Sequence, residues 1–125
     1  MELKNKIAPW FTLALFWSVA IVVACLVDWS KIPTISTHQH TDKIAHFVFY
    51  AVFASLWFLY FKQSIKNQRK LFVIVFLFAF LFGLIIEICQ DLFTETRHAD
   101  IQDAIANTLG ALFGLLIMIT IFRKK

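Results

Sequence analysis

The segment RHADIQDAIANTLGALFG, residues 97–114, gathers an arginine, a histidine, two aspartates and an asparagine where an apolar run begins. At helical spacing Asp100, Asp103, Asn107, Gly110 and Gly114 share one face, with the acids outermost. Two other segments carry related groups. In DKIAHFVFY, Asp42, His46 and Tyr50 recur every fourth residue and form a stripe, with Lys43 beside it. In GLIIEICQD, Glu87 lies about 9 Å inside the end of an apolar helix at 1.5 Å per residue. Gln90 and Asp91 continue outward from it, and Gly83 and Ala79 sit on its inward side. These residue types suit acid–base work: His46 or Glu87 as general base, Asp103 as a third candidate, and Arg97 stabilising developing negative charge. The same imidazole, carboxylates and carboxamide could hold a divalent cation. No nucleophile motif accompanies them, and Ser55 lies too far along its helix to join them.

Ordinary structural uses account for part of this set. Asp100 can cap a helix, and Asp103 and Asp42 are anions near helix N-termini, where the backbone dipole favours them. Tyr50 can anchor at head groups, and Glu87 can tie helices together. Those uses do not explain His46, Asn107, or an acid at the depth of Glu87, which costs several kcal/mol (about 3 or more) unless it is paired or hydrated. Three polar stripes at a common depth should therefore converge, forming a hydrated pocket lined by Asp42, His46, Glu87, Gln90, Arg97, Asp100, Asp103 and Asn107, with Lys43 and Tyr50 as further candidate ligand contacts.

The elements that must position them are membrane helices. Of 125 residues, 60% are hydrophobic and 17% aromatic, and only 16% are charged, too few to cover a water-soluble domain of this size. Four stretches, approximately 7–27, 41–61, 71–93 and 103–122, are long enough to span a hydrocarbon core of about 30 Å. The expected fold is all-α, a single-domain four-helix transmembrane bundle over residues 1–125. The net charge of +4 comes from cations clustered between apolar runs rather than on one soluble face, which argues against nucleic acid.

Those cations set the expected orientation. Lys4 and Lys6, then Lys62, Lys66, Arg69 and Lys70, then Arg123, Lys124 and Lys125 fall on one side, which makes both termini cytoplasmic. Seven of the eight acids and all four histidines fall on the opposite, outward side, so the polar pocket faces outward. Trp10, Trp17, Trp29 and Trp57 read as interface anchors or core. Cys25 and Cys89 lie in apolar segments without CxxC spacing and read as packing residues. VVAC, residues 22–25, is similar to a bacterial lipobox, which would lipidate Cys25; three further spans would make that anchor redundant. Pro9 is expected to open the first span. GALFG, residues 110–114, is a GxxxG pattern that permits close helix packing, either within the chain or against a second copy in a homo-oligomer.

DKIAHFVFY, GLIIEICQ, Arg97 and DIQDAIANTLGALFG together resemble the VanZ-like membrane proteins over residues 42–114. The shared pattern covers Asp42, Lys43, His46, Tyr50, Gly83, Glu87, Gln90, Arg97, Asp100, Asp103, Asn107 and Gly110. The resemblance implies a bacterial plasma-membrane protein associated with low-level resistance to the lipoglycopeptide antibiotic teicoplanin. It leaves three functions open. One is binding of a lipophilic envelope ligand, either the antibiotic or a lipid-linked cell-wall precursor, with Arg97 and Lys43 meeting its phosphate or carboxylate. The second is an enzyme acting on a lipid-linked substrate, and the third is docking to a membrane partner.

Overall fold

The computed structural model describes the backbone of residues 2–27, 39–94 and 100–123, and the side chains of 5–27, 43–94 and 100–123. It is all-helical: α1 (Glu2–Leu26), α2 (Gln39–Phe61), α3 (Gln68–Phe93) and α4 (Ile101–Ile121), with no strand among the described residues. All four helices are long and apolar enough to cross a membrane.

Each helix begins before its apolar run does, because polar residues make good first turns. Asn67 caps α3 by accepting from the Arg69 and Lys70 backbone N–H groups, and Asp100 caps α4 by accepting from Gln102. Both caps satisfy amides that a helix start leaves without partners. The early start of α1 puts Pro9 inside the helix instead of at its opening. The helical partner lost there is the carbonyl of Asn5, an exposed residue that water can serve.

The buried faces show which helices meet. Leu71, Val75, Ala79, Gly83, Ile86, Glu87 and Gln90 form one face of α3, and Asp103, Asn107, Gly110, Ala111, Gly114 and Leu115 one face of α4. These two helices also pack on each other, and α2, whose Tyr50, Phe53, Ala54, Trp57 and Phe58 are buried, packs against all three other helices. Helices α1 and α4 have no packing contact with each other among the described residues. Phe53 stacks on Phe82 with ring centroids 4.5 Å apart, and Trp57 meets Phe78 edge-on at 4.9 Å.

Indole hydrogen bonds hold α1 to α2. Trp17 Nε1 donates to the Phe49 carbonyl at 2.9 Å, and Trp57 Nε1 to Ser18 Oγ at 3.1 Å. These two tryptophans are thus interior ties, not interface anchors. On the outside, Phe16, Leu81, Ile88 and Leu116 are exposed among many other apolar side chains, a surface suited to lipid and not to water.

The α2–α4 contact is the most extensive in the bundle. A Cβ built on Gly110 would overlap the Phe47 carbonyl oxygen, and one on Gly114 the Ala51 carbonyl oxygen. Small residues let two backbones approach this closely where no hydrophobic driving force separates helix from lipid. The GxxxG face is therefore filled by the chain's own second helix. Both glycines are buried at that seam.

Candidate functional site

The polar residues on the three converging faces meet near one end of the bundle, where α2 and α4 begin and α3 ends. Helix α2 brings Lys43 and, one turn deeper, His46. Helix α3 brings Glu87, and α4 brings its cap Asp100, then Asp103 and Asn107. His46, Glu87, Asp103 and Asn107 are all buried, at 2%, 4%, 7% and 3% exposure.

The pairings are specific. His46 Nδ1 lies 2.8 Å from Asn107 Oδ1, so the ring N–H donates to the carboxamide oxygen. The other ring nitrogen, Nε2, faces Asp103 Oδ2 at 3.8 Å, beyond hydrogen-bond distance. Lys43 Nζ donates to Asp100 Oδ2 at 2.9 Å and also to Asp103 Oδ1. The Asp100 backbone N–H points to Glu87 Oε2 at 3.4 Å. Donor atoms of His46, Glu87 and Asp103 all lie within 4.8 Å of one another. The three residues expected to do acid–base chemistry are thus brought together from three helices.

Three buried polar atoms here have no hydrogen-bond partner among the described residues: Glu87 Oε1, Asn107 Nδ2 and Tyr50 OH. Leaving such an atom unsatisfied costs about 1–3 kcal/mol. Tyr50 lies one turn below His46 with its ring against Phe53 and Phe82, so it is not a head-group anchor. A Cβ on Gly83 would stand 3.3 Å from the Tyr50 ring and 3.5 Å from Asn107. The small residue before Glu87 thus leaves room for both.

Two of the expected ligand contacts have partners within the chain. Lys43 meets two carboxylates of its own chain, Asp100 and Asp103. Gln90 shares the face of Glu87 but turns to α1, where its Nε2 donates to the Cys25 carbonyl at 2.8 Å. It ties helices, and Cys25 beside it is buried. Asp91, expected to continue that face, is exposed. The remaining members of the expected set cannot be placed: Arg97 lies outside the described residues, and so does the side chain of Asp42.

Charge in the described cluster is unbalanced. Glu87, Asp100 and Asp103 face one lysine and one imidazole, so the site is acidic unless Glu87 holds a proton. The Lys43 ammonium and the Gln102 N–H hold the Asp100 carboxyl below the usual aspartate range. The pairing of Lys43 with both aspartates was missed in the sequence. Its signal was present, because the second and fourth spans start at the same end and both have polar first turns.

Four membrane-length helices enclosing a polar cluster near one end define a multi-pass membrane protein. The chain belongs to the VanZ/LLP1 family, whose profile matches residues 2–123. The match takes in nearly the whole chain, beyond the 42–114 segment that carries the motifs. Comparison with curated proteins finds no match, and comparison with solved structures finds none.

Proposed function

We propose that this protein binds the polar end of an amphiphilic cell-envelope ligand at the outer leaflet of a bacterial plasma membrane. The ligand is a lipoglycopeptide antibiotic or a lipid-linked wall precursor, and through that binding the protein contributes to low-level teicoplanin resistance. One observation carries the reading: Glu87 Oε1, Asn107 Nδ2 and Tyr50 OH, from three helices, are buried around a shared polar cluster without hydrogen-bond partners among the described residues. A ligand's hydroxyl, amide or hydrated head group would supply what they lack. Exposed Ile44, Ile88, Leu92 and Ile101 flank that end of the bundle and offer apolar surface to an acyl or polyprenyl chain. Cytoplasmic placement of both termini is supported by Lys62, Lys66, Arg69 and Lys70, which lie at the far end from the cluster.

Purification in native lipid followed by mass spectrometry tests this. Wild type should retain a discrete envelope lipid that Glu87→Ala and Asp103→Asn lose, and saturating labelled lipid should compete with teicoplanin. Failure of the wild type to bind either class would end the proposal.

A second reading is favoured by the His46–Asn107 hydrogen bond, which fixes the imidazole so that Nε2 faces the centre of the cluster. Fixed in this way, His46, or the adjacent Glu87, could take a proton from a lipid-linked substrate. Product formation from a lipid phosphate or peptidoglycan precursor, abolished in Glu87→Gln, would favour catalysis over binding. Equal turnover by that variant would exclude it.

A further inference from the structure

We infer that His46, Glu87 and Asp103 form a binding site for one divalent transition cation of the zinc or manganese class. The site goes beyond the ligand reading above and stands whether or not an envelope molecule binds. Three different helices supply the donors, one nitrogen and two carboxylate oxygens, all within 4.8 Å of one another. Ligands of one tetrahedral zinc lie about 3.4 Å apart, given bonds of about 2.0–2.2 Å. Side-chain rotations that close the cluster by about 1 Å would therefore bring all three donors to one ion, with no movement of the helices.

The surrounding hydrogen bonds fit a metal site. A metal-bound histidine usually donates its other ring N–H to an acceptor, which fixes the tautomer and the ring's direction. Asn107 Oδ1 is that acceptor for His46 Nδ1, so Nε2 is the ring nitrogen on the side of Asp103 Oδ2, 3.8 Å away. This separation is too long for a hydrogen bond and near the spacing of two ligands on one ion. Asp103 binds Lys43 through its other oxygen, Oδ1, which leaves Oδ2 turned inward.

Glu87 supplies the independent indication of a ligand. Its carboxylate is 4% exposed, and Oε1 has no hydrogen-bond partner among the described residues. Its other oxygen, Oε2, takes only the long contact from the Asp100 N–H at 3.4 Å. Two carboxylates and a neutral imidazole carry a charge of −2, which a divalent cation neutralises. Mixed nitrogen and oxygen donors suit zinc, and carboxylate-rich sets suit manganese. Three protein ligands leave a coordination position open, as in zinc sites that also bind water or an exogenous anion.

The test uses the full-length protein in lipid nanodiscs, stripped with a chelator and then equilibrated with zinc or manganese alone. Elemental analysis should find about one equivalent retained. His46→Ala, Glu87→Gln and Asp103→Asn should each weaken binding about tenfold or more, while Asp91→Asn on the exposed side of α3 should leave it unchanged. Because a variant could fail to fold, wild type provides a separate readout. Zinc or manganese should raise its unfolding temperature and chelator should reverse the rise. Retention of no metal by wild type, or the same retention by the Glu87→Gln and Asp103→Asn variants, would overturn the inference.

Discussion

Replacing Lys43 by methionine keeps most of the side chain's bulk and removes its charge, leaving two aspartates without their shared partner. The two losses should differ greatly. The Asp103 side chain is 10% exposed, whereas that of Asp100 is 44% exposed. Breaking a buried pair from one side costs about 3–5 kcal/mol because it strands the other charge. The quarter exposure of Lys43 admits some water and lowers the Asp103 share to about 2–3 kcal/mol. The Asp100 pair is near the surface and contributes about 0–1 kcal/mol. Lys43→Met should therefore lose about 2–4 kcal/mol in total.

The assay is reversible unfolding by sodium dodecyl sulfate in mixed micelles. It can be followed by tryptophan fluorescence, to which the interior indoles of Trp17 and Trp57 contribute. Adding Asp103→Asn to Lys43→Met should recover most of the loss, whereas adding Asp100→Asn should recover little. A double-mutant coupling for Lys43–Asp100 as large as that for Lys43–Asp103 would refute this ordering. So would a loss below about 0.5 kcal/mol for Lys43→Met, the range of ordinary surface substitutions.

Acid should expose the smaller pair. The folded-state pKa of Asp100 lies below its unfolded value, so its stabilisation is fully present above about pH 4 and is lost as pH falls through the folded value. Asp100→Asn should flatten that part of the stability profile, read as unfolding against pH between about 5 and 2. Gly110→Ala should cost about 2–3 kcal/mol or prevent folding, since its Cβ meets a backbone carbonyl that cannot rotate away. Gly83→Ala should cost under about 1 kcal/mol, because its nearest neighbour is the Tyr50 ring at 3.3 Å, with the Asn107 side chain just beyond; equal losses in detergent unfolding would contradict this reading. For orientation, a cysteine at Asp91 should react with a membrane-impermeant maleimide on intact cells, and one at Lys66 only after permeabilisation. The reverse pattern would invert the proposed topology.

The four spans were legible because membrane thickness dictates their length. Their ends shifted by up to five residues because the helices continue into polar first turns such as those after Asn67 and Asp100. Convergence of His46, Glu87, Asp103 and Asn107 was legible for a related reason: polar side chains at that depth need one another. Partner choice was less accessible. Helical periodicity reports which face a residue occupies but not which neighbour covers that face. Gln90 therefore looked like a companion of Glu87 and proved to bind α1, and Gly110 and Gly114 suited an external partner as well as they suit α2. Lys43 was read as a group awaiting an anion because its two aspartates are distant in sequence and adjacent only after α2 and α4 pack.

The seam between α2 and α4 is a contact of backbone on backbone, and that gives it little slack. Side chains at an ordinary helix interface can change rotamer and let the helices slide; carbonyls seated against glycines cannot. The register of Phe47 on Gly110 and Ala51 on Gly114 therefore also sets the register of His46 on Asn107, one residue before the first contact on α2 and three before it on α4. Helix α3 sets Glu87 against this fixed pair, with its Oε2 at the Asp100 N–H that opens α4.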